Sequence, residues 1–170
     1  MTEHTLPLIT FYQGWQTYQH SLVETIAPLP REQLALPVAP HHWSIGQLLN
    51  HMVSDRVWWF HLWMEEGDPD LAPVAQWGEE GQPTRSAAEL LAALEAGWQM
   101  IENALASWTA ADLGHVFSPP ASLSGKEKSA FGERTLQWIL WHVLEHEIHH
   151  GGELSLALGG LGLQGVYGNA

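Results

Sequence analysis

Four stretches of the chain, each about 20 residues long, place apolar side chains every three or four positions, the spacing that loads one face of an α-helix. The first runs from about Leu6 to Ala27, with Leu8, Tyr12, Trp15, Tyr18, Leu22 and Ile26 on its stripe. The second opens at Ser44, where Ser44 and Gln47 make a capping box that satisfies two orphan backbone N–H groups, and it continues to about Glu66. Ser86 and Glu89 repeat that box at the head of the third, which ends near Trp108 and turns Leu90, Leu94, Trp98, Ile101 and Leu105 to one side. The fourth runs from about Glu133 to Leu158 and stops at Gly159-Gly160. Between the first two, Pro28, Pro30, Pro37 and Pro40 forbid helix. Residues 67–83, with three glycines and three prolines, read as loop. Residues 109–132 form a crossing long enough to be a functional loop or a short hairpin. The expectation is an all-α fold: a four-helix bundle with long crossover loops, forming a single domain over residues 1–170.

Composition narrows the function. Six Lys plus Arg against nineteen Asp plus Glu give a formal charge of -13, which repels phosphate backbones and anionic headgroups, so no nucleic acid and no membrane is expected as partner. No apolar run reaches the roughly 20 residues of a membrane span, and the first residues lack the basic and apolar regions of a signal peptide. A cytoplasmic protein acting on a small-molecule substrate fits best. With no cysteine, any metal must be held by His, Asp or Glu, and eleven histidines are present.

The histidines are not scattered. On the fourth helix His146 and His150 are one turn apart and share the stripe of Leu136, Ile139, Val143 and Leu154, while His142 and His149 sit at its edge. On the second helix His51 shares a face with Leu48 and Leu62. A lone histidine on such a face reads as an ordinary core residue, but an i, i+4 pair facing a third imidazole from another helix can converge on a metal ion. Asp55, one turn after His51, is placed to accept the second ring N–H of a ligand imidazole. Glu147 falls among Leu136, Leu140 and Leu154, as a buried carboxylate near the ion. His146 to His150 also spells H-E-x-x-H, the zincin string, but Glu153 and Leu156 stand where a metzincin needs Gly and His. After His150 only Glu153 could serve as a downstream third ligand, so a zincin is set aside.

Two motifs carry a resemblance. W-S-x-x-Q-L-L-x-H spans Trp43 to His51, with Asp55 and Trp58 after it, and H-V-x-x-H-E-x-H-H begins at His142, followed by Gly151, Gly152 and Glu153. In this order and at this separation they resemble the DinB/YfiT-like family of metalloenzymes. The resemblance implies a four-helix bundle with a metal triad of His51, His146 and His150, the set that the helical wheel also favours. Family members that use bacillithiol or mycothiol for S-transfer or isomerisation imply a thiol cosubstrate. The family commonly reads R-G-Q after the last histidine; this chain reads Gly151-Gly152-Glu153, which removes a positive charge beside the site.

Three neutral imidazoles leave the full +2 charge on a zinc or nickel ion and at least one position open. If a low-molecular-weight thiol takes that position, the chain is a metal-dependent transferase joining the thiol to a small electrophile, and the thiol must come from outside. If water takes it, the chain is a hydrolase using metal-bound hydroxide with Glu147 or Asp55 as base. A non-catalytic metal- or ligand-binding stress protein is the third reading. Trp58, Trp59 and Trp63 are expected either to wall a pocket or to fill core. Trp138, Trp141, Leu144 and Ile148 make the fourth helix apolar on the arc opposite its histidines, so a homodimer is expected unless the 109–132 crossing covers that face.

Overall fold

In the computed structural model, which describes residues 6–167, the chain is all-α apart from one minimal hairpin. Helices α1 (Gln13–Ile26), α2 (Arg31–Leu34), α3 (Ile45–Val57), α4 (Ala87–Ser107), α5 (Gly125–Phe131) and α6 (Leu136–Gly160) follow in order. The four long ones make the bundle, with α3 packed on α6 and α4, and α1 on α4. Both capping boxes form, Ser44 with Gln47 and Ser86 with Glu89, so the starts of α3 and α4 lie where the sequence puts them. Among the described residues no helix is long and apolar enough to cross a membrane.

The structure departs from the expected boundaries for local reasons. The first helix does not begin at Leu6: Pro7 pairs with Thr109, and Leu8 donates its N–H to the Trp108 carbonyl at 2.8 Å, which straps the segment to the end of α4. A 3₁₀ turn at Leu8–Thr10 then leads into α1. The proline-rich stretch after α1 does hold one turn of helix, α2, because Pro30 stands at its N-cap, where a missing N–H costs nothing. After α3 the helix widens into a π-helical segment, Trp58–Trp63. Part of the expected 67–83 loop is a 3₁₀ helix, Pro69–Gln76, packed on α3. The long crossing is indeed a short hairpin: β1 (Val116–Phe117) pairs antiparallel with β2 (Arg134–Thr135), Val116 opposite Thr135, with α5 between them. That pairing takes Arg134 and Thr135 out of the fourth helix, and the Thr135 hydroxyl, accepting from the Trp138 N–H, caps α6 instead.

One polar cluster crosses the apolar core. Arg56 on α3 and Glu147 on α6 are each 1% exposed, and the Arg56 Nε donates to Glu147 Oε1 at 2.8 Å. The Trp15 indole of α1 donates to Glu147 Oε2 at 2.9 Å. The Arg56 Nη1 donates to Gln19 Oε1 on α1 at 2.9 Å and to the Leu94 carbonyl on α4 at 3.1 Å. Two glycines make room for the cluster. A Cβ on Gly97 would meet the Arg56 Cδ at 2.7 Å, and one on Gly151 would collide with the Tyr18 hydroxyl, which donates to the Glu147 carbonyl.

Removing one partner leaves the other as an uncompensated buried charge, which costs about 3–5 kcal/mol. Arg56→Met is therefore expected to lower the unfolding free energy by about that amount, read from urea denaturation, and Arg56→Met with Glu147→Leu to recover most of it. A double variant no more stable than the single one would contradict this account.

Candidate metal centre

The capping box at Ser44 starts α3 so that His51 comes at the end of its second turn, facing α6. From α6, His146 and His150 lie one turn apart on the face turned to α3. The three side chains meet. His51 Nε2 and His146 Nε2 are 2.9 Å apart, and one ring nitrogen from each of His51, His146 and His150 lies within 4.8 Å of the others. Zinc–nitrogen bonds of about 2.0–2.1 Å at tetrahedral angles would place ligand nitrogens roughly 3.3 Å apart, inside that range.

The outer nitrogens face carboxylates. His146 Nδ1 lies 3.3 Å from Asp55 Oδ2, and neither atom has a fully aligned hydrogen bond or another partner although both are buried. His150 Nδ1 lies 2.7 Å from Glu153 Oε2, and the other oxygen of Glu153 is 3.4 Å from His149 Nε2. A proton on His150 Nδ1, bonded to Glu153, and one on His146 Nδ1, facing Asp55, would leave each Nε2 lone pair toward the cluster. Burial, with the mutual repulsion of the imidazoles, lowers the pKa of His51 to about 4 and of His146 to about 3, so both rings are neutral at pH 7. Neutral imidazoles with oriented lone pairs suit zinc, nickel, copper and iron alike. Burial first, then the Glu147 charge, raises Asp55 to about 7, against a hydrogen bond from Trp59 and the attraction of Arg56.

The structure treats the expected site residues differently. His51, His146, His150 and Asp55 come together as described. Glu147 is buried, and each of its oxygens accepts one hydrogen bond, Oε1 from Arg56 and Oε2 from Trp15, so it serves the core ion pair. His149 is exposed, and His142 stacks on Trp138 with its ring 5.9 Å from that of His146. Glu153, which the sequence offered as a zincin's downstream ligand and as a departure from the family motif, instead lies with its carboxylate on His150 Nδ1; its i, i+3 spacing was the available signal. His149, His150 and Glu153 form a second metal-compatible group, but it shares His150 with the first.

A cavity of about 540 Å³ opens beside His51. Its aromatic walls are Trp43 and Trp77, neither of which the sequence singled out for a pocket. Trp59 and Trp63 instead are buried in a cluster with Trp58 and Phe131, so the core role wins for these three tryptophans. A larger groove, between the end of α1 and residues 163–167, has no histidine in its lining among the described residues.

In metal-free protein the depressed histidines make stability fall in acid. Unfolded imidazoles take up protons near pH 6.5, whereas His51 and His146 in the fold resist until about 4 and 3, so their contribution is complete above 6.5 and is lost on descending toward those values. Asp55 acts in the opposite sense: its contribution is present below its unfolded value of 3.8 and is lost as pH rises through about 7. The chelator-treated protein should therefore melt progressively lower from pH 6.5 to 4, and Asp55→Asn, which removes the opposing contribution, should steepen that slope. A flat profile would contradict the assigned protonation states.

The chain was compared with known proteins. The DinB superfamily profile matches residues 15–154. Among solved structures, a DinB-like protein from Bacillus cereus ATCC 10987 superposes with a TM-score of 0.66 at 20% identity, over 94% of this chain and 96% of the other. The comparison with curated protein sequences gives no match.

Proposed function

The chain belongs to the DinB superfamily, and from that membership and the convergence of three imidazoles we propose that it is a single-domain, cytoplasmic divalent-metal protein that joins a low-molecular-weight thiol to a small electrophile. The ligands in this reading are His51, His146 and His150, and the ion is zinc or nickel. The observation that carries it is the donor set: three histidine rings with clustered nitrogens and no carboxylate among them. When bound, a divalent ion held this way supplies an uncompensated positive charge that lowers the pKa of a thiol.

The chain's own residues do the rest. Glu153 bonds the outer nitrogen of His150, and Asp55, 3.3 Å from the outer nitrogen of His146, favours a proton there, so that the other nitrogen of each ring faces inward. The Trp43 indole, 4.9 Å from His51 and 6.5 Å from His150 between ring centres, shields one side of the cluster and borders the cavity where a substrate can sit. Because the chain has no cysteine, the sulfur comes from a cosubstrate. Hydrolysis with Asp55 as base, and metal or ligand binding without catalysis, are the alternatives the tests separate. We further infer a homodimer through the outer face of α6, where Trp141, Ile148 and Leu156 are 65%, 45% and 79% exposed and the 109–132 crossing leaves Trp141 uncovered. A sedimentation mass of one chain at micromolar concentration would overturn that inference.

Elemental analysis should find one divalent ion per chain, sharply reduced in His51→Ala, His146→Ala and His150→Ala and unchanged in His149→Ala; full occupancy in all three ligand variants would refute the ligand set. With the ion bound, conjugation of a thiol to a chromogenic electrophile should persist below pH 8.5, the ordinary pKa of a cysteine thiol being about 8.5. His51→Ala should abolish the enzymatic rate, and Asp55→Asn should reduce it about 10- to 100-fold. If cysteine, coenzyme A, glutathione and bacillithiol all react no faster with holoprotein than with metal-free protein, while an ester or amide is cleaved in a metal-dependent way, the hydrolase reading replaces this one.

A further inference from the structure

The cavity beside His51 differs in chemistry from the imidazole cluster it adjoins. Two indoles, Trp43 and Trp77, form its aromatic walls, and Glu79 and Glu80 are exposed on its rim. No lysine or arginine lines it. The other polar side chains there are largely committed to the fold. The Gln47 side chain accepts from the Ser44 N–H in the capping box, and Asn50 donates to the Pro83 carbonyl and accepts from the Arg85 N–H. Neither glutamate belongs to an ion pair among the described residues, so the rim carries two uncompensated negative charges.

The same loop already shows what its indoles accept. The Arg85 guanidinium lies 4.6 Å from the Trp77 ring centre, held outside the cavity lining, with Glu89 at 4.0 Å and Gln82 at 3.4 Å. An indole face beside a carboxylate attracts an organic cation and gives nothing to an anion. Close packing ties the loop to the imidazoles, since a Cβ on Gly78 would collide with the Ser54 hydroxyl and come within 3.4 Å of His51 Nδ1.

We propose that the cavity walled by Trp43 and Trp77 and rimmed by Glu79 and Glu80 is a subsite for a cationic group, a primary ammonium, on the small molecule that reacts at the imidazole cluster. This deepens the thiol-transfer reading and rests on it for what is bound next door: a molecule with its sulfur or electrophilic carbon at the histidines would leave its ammonium against the indoles. Aminothiols and amine-bearing electrophiles are then the favoured class, and compounds with carboxylates at that position are rejected.

The test uses metal-loaded full chain and thiol-free probes matched in shape: benzylammonium, benzyl alcohol and benzyl methyl ether, titrated by calorimetry at low salt. Benzylammonium is expected to bind about tenfold more tightly than either neutral probe. Glu79→Gln with Glu80→Gln should bring the three within about twofold without changing the melting temperature, because both side chains are exposed. Equal binding of the three probes to the unaltered protein, or a preference that survives in the double variant, overturns the subsite. A second series, cysteamine against 3-mercaptopropionate with a chromogenic electrophile, separates the two readings. An ammonium preference with no conjugation of either thiol keeps the subsite and refutes thiol transfer; equal conjugation of both thiols keeps the transfer and refutes the subsite.

Discussion

A single ion pair fixes where the helices stand. Arg56 and Glu147 meet in the core at 2.8 Å, and the remaining bonds of the pair reach Trp15 and Gln19 on α1 and a carbonyl of α4, so all four long helices are tied at one level. A buried pair of this kind is weak as a source of stability compared with apolar packing, but it is intolerant of misalignment, because any other register leaves a charge unpaired. The sequence positions make that matter: Arg56 follows His51 by five residues, and Glu147 is the neighbour of His146. Whatever holds Arg56 against Glu147 also holds His51 against His146, and the catalytic-looking glutamate of the H-E-x-x-H string is thereby a register pin.

Around the imidazoles the electrostatics are graded. Burial keeps the His51 and His146 rings neutral, carboxylates lie one step outward on the Nδ1 side of His146 and His150, and the acidic rim of the loop lies beyond. Neutral donors, oriented by anions that do not themselves join the cluster, leave an ion's charge available to an incoming group. The -13 formal charge of the chain adds a long-range field that favours cations, while a divalent ion held at the cluster would favour a single anionic atom beside it.

Much of this was legible because it is local. Capping boxes, three- and four-residue apolar spacing, and the His146–His150 step are all written within one helix, and the structure reproduces them. His51 could be placed opposite them because its face is defined by its own neighbours, Leu48 and Leu62. What escaped was set by partners far away in the chain. The ion pair of Glu147 was hidden because its partner Arg56 is 91 residues off, and the choice of Trp43 and Trp77 over Trp58, Trp59 and Trp63 as cavity walls depends on how the 77–83 segment folds back on α3. The short 3₁₀ segment and the two-residue strands are likewise too small to carry a period of their own.

The π-helical segment Trp58–Trp63 divides the second long helix into two angular frames. A π turn winds more residues into each revolution than an α turn, so the side chains after Val57 are rotated relative to where an uninterrupted α-helix would carry them. Upstream, the helix aims His51, Asp55 and Arg56 at α6; downstream, Trp58 and Trp63 turn to Phe131, while Trp59 reaches back to Trp138 and His142 of α6 and to Asp55. The change of winding thus lets one helix present imidazole and indole to the same partner at different angles, so that a substitution at Trp59 would be felt at Asp55 and through it at His146, whereas one at Trp58 or Trp63 would be absorbed by the aromatic cluster.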